Sequence, residues 1–192
     1  VLYTYLSMSM LTAFNPLFLV YVALFSLSLF ALVLCLMAFD VAGLPARFSA
    51  HLPRRGIAAL LAGTGLFLSV AWLGRIAAPW LNGTPPALEN TTTMVIQALD
   101  LGLVTPVVIL AAWLLWQRRA WGYLLASVAV MKMLTMGTAV SLMTINMALN
   151  GVAESPVIGG IFMTLTAINA LLGLWLLRSV IPAPTLRPIV SA

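Results

Sequence analysis

The sequence predicts an all-α, polytopic transmembrane helical bundle, and three observations predict it. Hydrophobic residues fill 63% of 192 positions and charged residues only 7%, against roughly 25% charged in a soluble domain. The apolar residues gather in runs long enough to cross a hydrocarbon core of about 30 Å at 1.5 Å per residue. The gaps between runs alternate strictly in charge. Runs of this length cross only as helices or as a closed barrel. The alternating segments of about ten residues that a barrel needs are absent.

Residues 1–14 (VLYTYLSMSMLTAF) are apolar from the first position. They lack a basic n-region and a small-residue cleavage site, so they do not read as a signal peptide. Too short for a full span, they read as a truncated N-terminal span, the second half of a helix. Five complete spans follow at about 16–39, 57–81, 94–116, 121–149 and 157–177. Pro16 is expected at the start of the first, where its missing N–H costs nothing. Asn82-Gly83-Thr84-Pro85-Pro86 and Asn150-Gly151 break the chain between spans. The longest gap, 40–56, has no room for a soluble domain, so residues 1–192 read as a single integral membrane domain.

Charge sets the expected orientation. The first gap carries Arg47, Arg54 and Arg55, the third Arg118 and Arg119, and the tail Arg178 and Arg187. The second and fourth gaps carry no Lys or Arg, only Glu89 and Glu154. Under the positive-inside rule the 40–56 and 117–120 loops and the C-terminus are cytoplasmic. Trp80 marks the outer end of span two, and Trp116, Trp121, Tyr123 and Trp175 mark the inner boundary. The net charge of +5 is thus spread over loops, and no nucleic-acid surface is expected. The expected partners are the lipid bilayer and, through helix packing, a homo- or hetero-oligomer.

Three ionisable residues fall inside spans: Arg75, Asp100 and Lys132. A charge at the bilayer centre costs about 2.5–3.5 kcal/mol even on the lenient insertion scale, so such groups usually face a bundle interior and find partners. Counted from helix centres, Arg75 lies about 10 Å and Asp100 about 7 Å outward of the midplane, which makes them the best candidate ion pair. The competing reading of Arg75 is snorkelling to the headgroups. Gln97 shares a helix face with Asp100. Lys132 stands about 16 Å from the inner boundary, beyond the reach of its stem. It is expected to meet Asp100 or Asn169. Its face continues through Thr135, Met143 and Asn146 to Asn150. Asn169, Thr166 and Gly173 read first as adhesive between helices, because small residues allow close approach and amides bond across.

No cofactor or metal set is expected. Met143 and Met147 stand at i, i+4 and could hold a soft metal, but Met is ordinary apolar filler, and the lone Cys35 adds no second thiolate. His51 reads as an interfacial residue of the basic loop. No HExxH, GxSxG, Walker or CxxC pattern occurs, and no nucleophile and base stand at catalytic spacing. Thr105-Pro106 should kink span three just below Asp100. Gly63, Gly65 and Ser69 suggest a close contact on span two.

Residues 15–32 (NPLFLVYVALFSLSLFAL), 97–106 (QALDLGLVTP) and 121–126 (WGYLLA) resemble a family of uncharacterised bacterial inner-membrane proteins. The resemblance covers about 15–140. It implies a helical bundle in a bacterial cytoplasmic membrane, brings no activity, and draws attention to Asp100.

Two functions fit these residues. One is a transporter-like or sensor-like protein with a polar pocket opening outward among spans two to five, built from Arg75, Gln97, Asp100, Lys132, Asn146 and Asn169. The other is an accessory or structural subunit that packs against other membrane proteins. The charge alternation also yields a prediction about sidedness. In a Cys35→Ser background, an impermeant thiol reagent added to intact cells should label Glu154→Cys and spare Gln117→Cys. Labelling of position 117 alone inverts the topology.

Overall fold

A computed structural model of the chain describes residues 1–86, 88, 91–151 and 156–181. Glu89, Glu154 and Arg187, on which part of the charge reading rests, lie outside the described residues. Helices run over α1 (Leu2–Met10), α2 (Phe18–Ala38), α3 (Arg54–Leu81), α4 (Val95–Leu99), α5 (Thr105–Trp116), α6 (Ala120–Leu149) and α7 (Pro156–Arg178). A π-helical turn, Asp100–Val104, joins α4 to α5, and a 3-10 turn, Leu44–Arg47, precedes α3. No strand occurs among the described residues; backbone pairing outside helices is limited to isolated bridges. Five helices are long and apolar enough to cross a membrane: Phe18–Ala38, Arg54–Leu81, Val95–Trp116, Ala120–Leu149 and Gly159–Arg178. The bundle expected from the sequence is therefore the architecture found.

The ends differ in detail, each for a physical reason. Helix α3 starts at Arg54, one turn before the apolar run, because main-chain bonding continues past the point where side chains become polar. Its first turn is set by Pro53, whose carbonyl accepts from Ile57 N–H at 2.9 Å. Pro16 does not open α2. It stands in a turn closed by Asn15, whose Oδ1 accepts from Leu17 N–H at 2.8 Å and whose carbonyl accepts from Phe18 N–H at 2.9 Å. Span three is interrupted as Pro106 requires, but by a π turn, described with the site.

The described residues form two compact units, Val1–Asp40 with Ala62–Ile109, and Val41–Leu61 with Leu110–Ala192. In the first, α1 packs on α2, with Tyr5 and Tyr21 ring centroids 6.0 Å apart. Leu11 carbonyl accepts from the Thr92 N–H at 3.1 Å and hydroxyl at 3.0 Å, tying the 11–12 segment to 91–92. Gly65 is a close contact: a Cβ there would lie 2.8 Å from Ile109 Cγ1. Gly63 faces open space. Helix α2 has no buried residue, as suits an element whose surroundings are apolar on every side.

The second unit holds most of the core, including Ile57, Leu61, Leu115 and Val130, all nearly inaccessible. Its tightest feature is the hairpin from α5 to α6. Helix α5 ends with Arg119 N–H bonded to Leu114 carbonyl at 2.9 Å and Arg118 N–H to Leu115 carbonyl at 3.1 Å. This is the Schellman arrangement, which places its penultimate residue in the left-handed region. That residue is Arg118, with φ of 59°. Gly122 then crosses the backbone of Leu114 and Leu115 so closely that a Cβ would collide with main-chain atoms.

At one end of this unit two basic segments meet. The Ser179 carbonyl accepts from Ser49 N–H at 2.8 Å, and the Arg47 carbonyl accepts from Ile181 N–H at 2.8 Å, around an antiparallel bridge from Phe48 to Val180. The Phe48 ring lies 5.2 Å from that of Tyr123. Tyr123 is therefore a buried packing residue, whereas Trp116, Trp121 and Trp175 are about half exposed at helix ends, as a membrane interface favours. The 47–49 loop and the end of α7 thus share one side of the unit.

Gly122→Ala should destabilise the chain by about 1–3 kcal/mol, the usual penalty for overpacking a contact that cannot yield. Gly63→Ala should cost nothing measurable. Thermal unfolding of both variants in detergent checks the pair, and equal stability would refute the hairpin geometry.

Candidate functional site

Among the described residues Asp100 is the only carboxylate within a span, and it is 5% exposed. Two neutral donors hold it. Tyr3 Oη donates to Oδ1 at 3.0 Å from α1, and Trp72 Nε1 donates to Oδ2 at 2.9 Å from α3. Each carboxylate oxygen therefore has one donor, and the group joins three segments of the first unit. The expected partner, Arg75, is exposed and makes no ion pair with Asp100. Helix geometry accounts for the exchange. Arg75 lies one turn past Trp72, about 4.5 Å farther along α3 and rotated by about 60°, so the indole reaches the carboxylate first.

The backbone under Asp100 is unusual. Thr105 N–H bonds to the carbonyl of Asp100, five residues back, in place of the usual four. Pro106 explains the defect. In an unbroken α-helix its ring would press on the carbonyl of Gly102 and its missing N–H would leave that carbonyl unsatisfied. The wider π turn takes up the misfit, and such turns concentrate at functional sites. Thr105 is 6% exposed, and its Oγ1 is buried without a hydrogen-bond partner. Gln97 is also buried, and its carbonyl accepts from Asp100 N–H in the last turn of α4. Asp100, Thr105 and Gln97 thus concentrate polar atoms along one defective stretch of helix.

The remaining candidates belong to the second unit. Asn169 is 2% exposed; its Nδ2 donates to the Val130 carbonyl of α6 at 3.0 Å, and its Oδ1 is buried without a partner. Around it α6 and α7 approach closely. A Cβ at Gly173 would stand 3.3 Å from Val130 Cγ1, one at Gly159 would stand 2.5 Å from Thr144 Cγ2, and one at Gly137 would collide with the Thr166 hydroxyl. Thr166 Oγ1 also lies 3.4 Å from Ser141 Oγ. Asn169, Thr166 and Gly173 act together as the adhesive between two helices. Lys132 is half-buried in α6, and Asn146 is exposed, its Oδ1 accepting from Asn150 Nδ2 at 3.2 Å.

Tyr3 and Trp72 are the residues that sequence reasoning missed. A signal for both was present: a phenol O–H or indole N–H within an apolar run normally needs a partner. Asp100 is the acceptor that fits. No protein-family model, curated protein or solved structure matches the chain.

Tyr3→Phe and Trp72→Phe each remove one donor and keep most of the ring volume. Each should lower stability by about 0.6–1.7 kcal/mol, the span measured for side-chain bonds inside membranes. A double-mutant cycle with Asp100→Asn should show coupling for both. Full additivity would mean that the two bonds contribute nothing.

Proposed function

We propose that the chain is a small transporter-like protein of a bacterial cytoplasmic membrane, with Asp100 as the group that receives a cation or a proton. The observation that carries this reading is the setting of the Asp100 carboxylate. It is buried in a helix of membrane-spanning length, held by two neutral donors and, among the described residues, paired with no basic side chain. Structural carboxylates in membranes are ordinarily offset by a neighbouring cation, and an ionisable residue without one is by default a functional group. The π turn and the buried Thr105 hydroxyl support the same reading, since a defect in the helix frees polar atoms that a passing ion can use.

The basic segments are cytoplasmic in this reading, and so is the C-terminus. The meeting of the 47–49 loop with the end of α7 supports a common side for two of the three arginine-bearing segments, and the positive-inside rule supplies the side.

A second reading, an accessory subunit packing against other membrane proteins, is favoured by α2, an apolar helix with no buried residue. One experiment separates the two. Asp100→Asn in purified full-length chain keeps the acceptor oxygen and removes the ionisable group. In proteoliposomes under imposed proton, sodium or potassium gradients, the transporter reading expects wild-type flux to fall to the level of empty liposomes while the variant stays folded, destabilised by no more than the one bond its amide nitrogen cannot accept. No flux through the wild-type chain under any of the three gradients would remove that reading. Co-purification with a stable membrane partner, weakened by substitutions on α2, would establish the other.

A further inference from the structure

We infer that the hollow lined by Arg54, Arg55 and Arg118 is a binding site for a phosphate group, carried by a lipid headgroup or by a soluble phosphate. The hollow has a volume of about 330 Å³, and Ala50, Leu52, Pro53 and Gly56 complete its lining. Three arginines therefore line one hollow, and no acidic residue is among its lining. Like charges gathered in this way repel one another, and no acidic residue among the lining offsets them. An anion does.

Four features support an anionic occupant. Arg54 and Arg55 form the first turn of α3, a helix of 28 residues. That end carries the positive pole of the helix dipole, so basic residues there are placed against the field and anions are favoured. Arg54 Nε is buried and has no hydrogen-bond partner. The Arg55 guanidinium lies 5.8 Å from the centroid of the Trp116 ring, which steadies it at the rim. Arg118 occupies a left-handed position that glycine would take without strain. Backbone strain of this kind is retained where the surrounding structure holds a side chain for use.

The choice of phosphate follows from donor geometry. Guanidinium groups offer parallel N–H pairs that match phosphate oxygens in bidentate fashion. The hollow also lies where α3 begins and α5 turns into α6, at the ends of helices of membrane-spanning length. Headgroup phosphates lie at that depth, and basic pockets beside transmembrane helices take them.

The test uses the full chain in nonionic detergent, with native mass spectrometry for lipid retention and thermal unfolding for binding. Phosphatidylglycerol, phosphatidylcholine and inorganic phosphate are the probes. Stabilisation by phosphatidylglycerol alone assigns the site to an anionic lipid, and stabilisation by inorganic phosphate assigns it to a soluble ligand; both support the proposal. Arg118→Gly should weaken that binding by about tenfold while leaving unfolding temperature unchanged or raised, because it relieves the left-handed strain. The double variant Arg54→Gln, Arg55→Gln leaves the hairpin untouched and should show the same loss. Arg178→Gln, outside the hollow, should bind as the wild type does. The proposal is overturned if neither phosphatidylglycerol nor inorganic phosphate binds, if the double variant keeps wild-type affinity, or if Arg178→Gln loses as much as Arg118→Gly.

Discussion

Everything in this molecule follows from one constraint: inside a bilayer no water is present to satisfy a polar group. The main chain meets the constraint by forming helices in which each N–H finds a carbonyl of the same segment. Hydroxyls meet it by bonding back along their own helix, as Ser28 does to Leu24, Thr138 to Leu134 and Thr164 to Gly160. Larger polar groups cannot do this and must reach across. Asn169 reaches the main chain of α6, and Asp100 draws donors from α1 and α3. Among the described residues, long-range side-chain bonds from within the spans are therefore few, and those of Asp100 and Asn169 hold helices in register.

The buried Asn169 and Asp100 serve different ends. An amide is neutral, so Asn169 can be held by one donated bond and tight packing against Gly173 and Val130 even with its Oδ1 unpartnered. A carboxylate is far more expensive to bury, and two neutral donors offset only part of that expense. Glue of the Asn169 kind accounts fully for one site and incompletely for the other. That asymmetry, together with the π turn that Pro106 imposes beside Asp100, separates a packing residue from a candidate for chemistry.

Basic residues follow a second logic. They collect at helix ends, where their charge remains in contact with water and headgroups. The second unit brings Arg118 to one hollow with Arg54 and Arg55, which lie more than sixty residues away along the chain. The hairpin that presents Arg118 depends on Gly122, the one residue small enough to let α6 cross the end of α5.

The sequence by itself determined the helical class, the number of long spans and nearly all of their limits. These depend on hydrophobicity summed over some twenty residues, a quantity local to each run and insensitive to neighbours. It also singled out Asp100 and the disruption at Pro106, because an acid and a proline within lipid are anomalies wherever they occur. It placed Asn169, Thr166 and Gly173 on one helix face, since that follows from the 3.6-residue period. Only the tertiary structure decided partners. Trp72 bonds Asp100 where Arg75 was expected, because one helical turn and a rotation of about 60° outweigh the attraction of opposite charge on paper. Tyr3 arrives from a segment almost a hundred residues away, and no local pattern encodes which acceptor it will meet. The arginine hollow likewise exists only once a helix start and a hairpin turn are packed side by side. Composition and period act along the chain, whereas hydrogen bonds and convergent charges depend on distances that folding alone creates.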